Sequence, residues 1–590
     1  MLSQNETGRW LVVSCVLVVI AVSSVRVAAQ PLTPPNRPHS APGRKVVDFE
    51  KLCVVAAPRF PSSVPTCQVL IVGGGLGGVA AAEALARQGV SVILTEPTSH
   101  LGGQLTAQGL PLPDENRFIE RQPGPSSRSY RDLRQQVRHY YGALSGIVAG
   151  REQNVGHCWV SRISGEPNVW EQAIRERLDA LRGQFGIREI LTRHALLDVQ
   201  RYPGNARISY CDFLDLDTKR IVRIGALYVL DATETGDVLD LANAPWTIGQ
   251  EPRRTYGEPD APYMMHLEWV QSFTYCMVAR WHSAGSLPII DKPAEYDYFK
   301  SLGKYSLEYR YPEPRGTVVY KMLSTAPDAL GPFWTYRRIV AASSFKDNPA
   351  YASDVAVINW SGNDFDQEDF IVKSPDEQVR ILKRARAFAQ GFLYWLQTEC
   401  PRDDGGFGYP EIQPAPDELG ADGFAPYPYV RESRRLLAVR PLTELDMIAP
   451  PDNPDQTTGT DFPDSVGLGL YSIDIHPTQG EPPALRSALP YELPLGAFIP
   501  ISGPTNIIPA ALDLGESRLA QASTRVHPTE WLIGEVAGNL AAYCVKHKVL
   551  PAQVREKSDL LAAFQSQLEH SGIATRWNEV LEAEPDLPAN

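Results

Sequence analysis

The stretch Val72-Gly73-Gly74-Gly75-Leu76-Gly77-Gly78 constrains this chain most. Gly73, Gly75 and Gly78 fit GxGxxG between an apolar strand, Gln68 to Val72, and an alanine-rich helix, Val79 to Gln88. In a chain with 45 glycines the match alone would be weak. Its setting strengthens it. A second strand, Val90 to Leu94, follows the helix, and Glu96 stands 21 positions after Gly75, close to the ~20 of a dinucleotide-binding βαβ unit. In such a unit Gly73 makes the tight turn, Gly75 lets the backbone approach a pyrophosphate, and Gly78 lets helix and strand close together. Helix N–H groups face the phosphates, and Glu96 accepts from the adenosine ribose.

Further along, Tyr130 to Tyr141 and Val169 to Arg182 read as helices and Ile190 to Val199 as a strand with imperfect alternation. Residues 206–230 read as a hairpin ending in Asp231-Ala232-Thr233-Glu234-Thr235-Gly236-Asp237. From about Pro245 to Tyr429 the texture is aromatic and proline-rich without a βα rhythm, with a helix near Asp376 to Glu399. A βα pattern returns after Arg431 and closes on a helix from about Glu530 to Val545.

The residues after Glu96 point to a family. Glu96-Pro97-Thr98-Ser99-His100-Leu101-Gly102-Gly103-Gln104 resembles the EPTxHLGG segment of the FAD-dependent oxidoreductase family, found in many bacterial, often exported, proteins. Trp159-Val160-Ser161, the Asp231 to Asp237 loop, Tyr429 to Arg435, Tyr471 to His476 and Arg525 to Trp531 resemble it in the same order, over about residues 66–570.

The resemblance implies an α/β chain with a glutathione-reductase-like FAD-binding domain in two segments, 66–244 and 431–550. An inserted α+β substrate domain would occupy 245–430, and a helical tail 551–590. It places Gly102, Gly103, Gln104, Ala232 and Thr233 beside FAD. It also implies that the last helix, entered through Thr529, Glu530 and Trp531, aims its N-terminus at the flavin ring. One departure concerns Asn506 to Asp513, which lacks the glycine that related flavoproteins carry after the final strand and leaves Asp513 for that contact.

Flavin chemistry asks the protein for orientation and a proton carrier. His476, Asp474, Tyr471 and His527 are the candidates, since an Asp can fix the tautomer of a neighbouring His. The same residues could equally hold a loop by hydrogen bonds. Arg434 and Arg435 either bind a substrate carboxylate or pair with Glu432. His100 reads as a loop anchor, and Trp246, Trp269, Trp281, Trp334 and Trp360 as core residues in preference to stacking platforms. No zinc or other metal motif occurs. The expected partners are a small organic substrate and an electron acceptor that the sequence does not name. The alternatives are a binding or escort protein on the same scaffold and an NAD-binding dehydrogenase. The formal charge of −13 argues against nucleic acid.

The N-terminus reads as a secretory signal over residues 1–29. Trp10 to Val22 is apolar, Arg9 precedes it and Val27-Ala28-Ala29 follows. A membrane partner is expected only if this segment stays uncleaved; either FAD is captured after export or the segment is an inefficient signal. Residues 30–65, rich in proline and small residues, read as a tether. Cys53 and Cys67 are the only close cysteine pair, with free thiols expected for most of the others.

Overall fold

A computed structural model describes residues 44–58, 61–202, 204, 206–283, 287–311 and 315–582, which belong to one compact unit. The expected signal segment lies outside them. Among the described residues no helix is long and apolar enough to cross a membrane, and the seven cysteines, Cys53 and Cys67 included, are free.

The first departure from expectation is the tether. Residues from Lys45 onward fold back as an antiparallel hairpin, β1 (Lys45–Asp48) and β2 (Cys53–Ala56), followed by β3 (Pro61–Ser63). Val46 and Val47 are buried, and the fully buried Asp48 receives two hydrogen bonds from Arg193, at 2.9 and 2.6 Å. Phe49 packs on Tyr427 with ring centroids 4.3 Å apart. The prolines on either side masked this short apolar stretch, which an average over the whole segment reads as solvated.

The nucleotide-type unit follows as β4 (Thr66–Val72), α1 (Leu76–Arg87) and β5 (Val92–Glu96). Helices α2 (Arg128–Gly142) and α3 (Pro167–Asp179) lie near their expected positions. The single strand expected over Ile190 to Val199 is two, β6 (Ile187–Thr192) and β7 (His194–Arg201). Arg193 breaks them with a left-handed φ of 61°, held by its bonds to Asp48 and by its N–H to the Thr98 carbonyl. Strands β8 (Ile208–Asp215) and β9 (Ile221–Asp231) complete the meander.

The sheet runs β6-β5-β4-β9-β8-β7, parallel from β6 to β9 and antiparallel beyond. Every residue of β5 is buried, the continuous apolar pattern of a parallel strand covered on both faces. Register brings Val72 opposite both Thr95 and Asp231. The glycine turn, Glu96 and the Ala232-Thr233 loop therefore emerge together at the carboxyl edge, where open α/β sheets bind ligands.

The middle of the chain carries its own sheet: β10 (Met277–Trp281), β11 (Arg338–Val340) and β12 (Val355–Ile358), joined after helix α4 (Pro375–Thr398) by β13 (Ile412–Pro414) in the order β11-β12-β10-β13. Ser374 and Glu377 form a capping box at the start of α4. Trp246 and Trp334 are buried, in agreement with the core reading; Trp360 is buried but also borders a cavity, and Trp269 and Trp281 are half-buried.

The chain then returns to the first sheet. Strand β14 (Ile507–Pro509) pairs parallel to β9, with Pro509 opposite Asp231, and α5 (His527–His547) packs on α1. That packing is backbone to backbone. A Cβ added at Gly534 would lie 2.0 Å from the Gly77 carbonyl oxygen, and one at Gly538 would lie 2.6 Å from that of Ala81.

Candidate functional site

Two cavities bring together about half of the expected site residues. The first, about 170 Å³, opens at the carboxyl edge of the sheet between Glu96, Thr233 and β7, with Val46, Val47 and Phe49 of the hairpin as part of its wall. Gly73, the first residue of the glycine turn, is part of its lining. Gly73 has a φ of 105°, and a Cβ there would stand 2.0 Å from the Ala232 carbonyl oxygen; one at Gly78 would stand 1.9 Å from that of Gly73. Both positions lock strand, turn and helix. Gly75 differs, because a Cβ there meets at 2.5 Å only the carboxylate tip of Glu234.

Carboxylates crowd this cavity and the start of α1 beside it: Glu96 and Glu234 line the wall, and Glu530 meets the first turn of the helix. Glu96 accepts hydrogen bonds from the N–H of Gly74 at 2.7 Å and from the N–H and hydroxyl of Thr98 at 2.9 and 2.6 Å. Glu530 accepts from the Gly77 N–H at 3.4 Å and from the Gln104 amide. Burial pushes Glu96 and Glu530 each up to about 7. Burial, with Glu530 as a repelling neighbour, raises Glu234 well above the ordinary range.

These shifts have a definite sign. Between about pH 4.5 and about 7 the folded protein keeps protons that the unfolded chain has released, so its stability falls as pH rises through that window. The thermal midpoint of the cofactor-free protein is expected to drop across it. A flat or rising midpoint would contradict the burial of these acids.

A dinucleotide fits this arrangement. Gly75 leaves an opening at the N-terminus of α1 that only a flexible side chain enters, and Glu96 stands at the end of the adjacent strand. The Oε1 of Gln104, the Oε2 of Glu234 and the Oδ2 of Asp513 are buried acceptors without partners. A ligand rich in hydroxyl donors would satisfy such atoms.

The second cavity, about 240 Å³, is lined by residues from both halves of the chain, among them Asp114, Arg337, Tyr471, Asp474, His476 and Arg525. The Nδ1 of His476 lies 2.6 Å from Asp364 and its Nε2 lies 3.4 Å from Asp474. Burial alone would raise both acids, but His476 and Arg525 hold Asp474 at about 2, while Arg431 and His476 hold Asp364 below the ordinary carboxylate range. Tyr471 lines the same cavity, with burial raising its phenol far above the usual value.

Other expected site residues have different surroundings. His527 is fully buried: its Nδ1 accepts from the Asp114 N–H at 3.2 Å and its Nε2 donates to the Leu110 carbonyl at 3.0 Å. Burial lowers it to about 4, so it is a neutral loop anchor and not a proton carrier. Trp531 is buried and donates to the Ser129 hydroxyl at 2.8 Å, and Thr529 is buried in the same helix start. Arg434 is tied to the Thr235 carbonyl, Asp237 and the Ile371 carbonyl beside the first cavity. Arg435 is fully buried and pairs with Glu251 and Glu432, so pairing replaces the substrate role. Gly102 packs on Ile174, and Gly103 faces Glu234 and Gly75. Asp513 accepts from the Ala511 N–H at 3.2 Å, and burial beside Asp231 raises its carboxyl well above the ordinary range. His100 contacts Glu171 at 2.7 Å, an anchor as expected.

Sequence reasoning missed Asp114, Arg337 and Asp364. None sits in a local pattern; Asp364 meets His476 only because the middle sheet folds against the closing segment.

Comparison with known proteins follows this geometry. The family described as FAD dependent oxidoreductase matches residues 68–568. No curated protein matches the chain. Among solved structures, a geranylgeranyl bacteriochlorophyll reductase-like protein from Thermoplasma acidophilum shares 10% identity over 88% of this chain and 88% of its own, with a TM-score of 0.29. CabE, an aromatic hydroxylase from angucycline biosynthesis, shares 13% over 50% and 52%, with a TM-score of 0.24. L-proline dehydrogenase from P.horikoshii shares 18%, over 29% of this chain and 23% of its own, with a TM-score of 0.16. At these TM-scores the likenesses support no argument about activity. The family match takes in both stretches that the first sheet joins, and the chain belongs to the FAD dependent oxidoreductases: it is an enzyme, and FAD is its cofactor.

Proposed function

We propose that this enzyme oxidises a small organic substrate held in the second cavity, passing a hydride to FAD while His476 takes the accompanying proton. FAD supplies the two-electron acceptor when bound. The segments 66–244 and 431–550 would hold it in the glutathione-reductase manner. Glu96 would receive the ribose hydroxyls and the N-terminus of α1 the pyrophosphate, with Gly102, Gly103, Gln104, Ala232 and Thr233 alongside. Residues 245–430 would form most of the substrate's enclosure.

The observation that carries this reading is the position of His476 between two acids in the wall of the cavity. Its Nδ1–H donates to Asp364, whose charge Arg431 maintains at 3.0 Å. That bond fixes the ring's orientation, and Nε2, 3.4 Å from Asp474, is the atom that would take up the proton. Asp474, held ionised by Arg525 at 3.0 Å, stabilises the imidazolium that forms. A histidine so placed can return the proton in the second half of a redox cycle.

His476→Gln is expected to lower kcat by roughly a hundredfold or more. Unchanged kcat would exclude the proton role. A flavin spectrum in the purified protein, bleached anaerobically by substrate, tests the reaction itself; a flavin that no organic donor bleaches would sink it.

A further inference from the structure

We propose that the substrate is a carboxylate and that the guanidinium of Arg337 recognises its charge. The inference rests on the reading of the second cavity as the substrate's.

Three buried guanidiniums line that cavity, and they are not equally occupied. Arg431 donates to the Ser272 carbonyl, the Thr274 hydroxyl and Asp364 at 2.8, 2.8 and 3.0 Å, and to Asn359 at 3.4 Å. Arg525 donates to the Tyr429 hydroxyl at 2.8 Å and to the carboxylate and carbonyl of Asp474 at 3.0 and 3.2 Å. Arg337, 6% exposed, uses only Nη2, at 3.2 and 3.5 Å from the two oxygens of Asp114 and 3.2 Å from the Tyr336 hydroxyl. Its Nε and Nη1 have no partner. A buried donor left unsatisfied is costly, and more so on a charged group.

The imbalance has one direction. Among the lining residues the buried side-chain atoms without a partner are all donors: Nε and Nη1 of Arg337, Nε of Arg431 and Nε of Arg525. The missing group is therefore an acceptor. The acids are already committed, since Asp364 and Asp474 serve Arg431, Arg525 and His476, and Asp114 pairs with Arg337 through Nη2 alone, at 3.2 Å. A planar carboxylate matches a guanidinium fork with charge-assisted hydrogen bonds. Tyr309, Tyr336, Trp360, Tyr429 and Tyr471 form the aromatic part of the wall, suited to the body of a small organic acid.

The test uses the purified holoenzyme with phenylacetate, phenylacetamide and inorganic phosphate as probes, read by thermal shift and by perturbation of the flavin spectrum. Phenylacetate is expected to bind about tenfold or more tightly than the amide, and Arg337→Met to abolish that preference. Arg337→Lys keeps a counter-charge for Asp114 and is expected to weaken the acid without affecting the amide, which keeps the test open where the methionine variant fails to fold. Equal binding of acid and amide, phosphate matching phenylacetate, or an undiminished preference in either variant would overturn the proposal. A protein without flavin that still prefers the acid through Arg337 overturns the redox reading and leaves this one standing. A flavin-loaded protein indifferent to the acid does the reverse.

Discussion

A Gly75→Ala variant is expected to fold normally and to emerge from purification without flavin. The added Cβ meets only the flexible end of Glu234, at 2.5 Å, so the protein itself can accommodate it. The space it takes is where a pyrophosphate would approach the backbone, and losing a single charged hydrogen bond there is worth about 1.5–3 kcal/mol, or roughly tenfold to more than a hundredfold in affinity. Gly78→Ala is the contrast, because its Cβ would stand 1.9 Å from the Gly73 carbonyl oxygen and the fold itself must give way. Circular dichroism with flavin absorbance separates the two. A stoichiometrically yellow Gly75→Ala protein would refute the pyrophosphate assignment.

Glu432→Ala is expected to cost about 3–5 kcal/mol of stability, the usual price of leaving buried cations uncompensated. Glu432 is fully buried, accepts from Arg518 at 2.9 Å and from the Gln271 N–H, and stands 3.6 Å from Arg435. Glu251 completes the pairing of Arg435, and Glu481 lies 2.8 Å from Arg518. Removing Glu432 leaves two guanidiniums sharing fewer acids in a dry core. Urea midpoints and soluble yield would register the loss. A variant as stable as the parent would mean that water reaches this cluster.

The contrast between Gly75 and Glu432 shows which parts of the protein were legible in the chain. The glycine turn and Glu96 announce themselves because strand, turn, helix and acid follow one another within a single unit whose spacing is set by backbone geometry. The His476 cluster does not. His476 and Asp364 lie 112 positions apart and meet only after the middle sheet packs against the closing segment. Arg337 sits in no motif, and what marks it is that its Nε and Nη1 lack partners once buried. His527 and Arg435 looked like chemistry because their residue types carry chemistry, but backbone groups and buried acids had already used their hydrogen-bonding capacity. The break at Arg193 was hidden because a long-range ion pair holds its backbone there, and strand periodicity carries no trace of such a pair.

The hairpin from Lys45 to Ala56 makes N-terminal trimming and cofactor retention one question. A cut ahead of Lys45 leaves the cavity wall whole. A cut just after Ala56 removes Val46, Val47 and Phe49 from it and takes away both Asp48 and Glu50, leaving Arg193 with Asp217 at 3.5 Å as its nearest acid. A protease that trims past this short stretch upstream of the glycine turn would leave the glycine motif intact and the first cavity open.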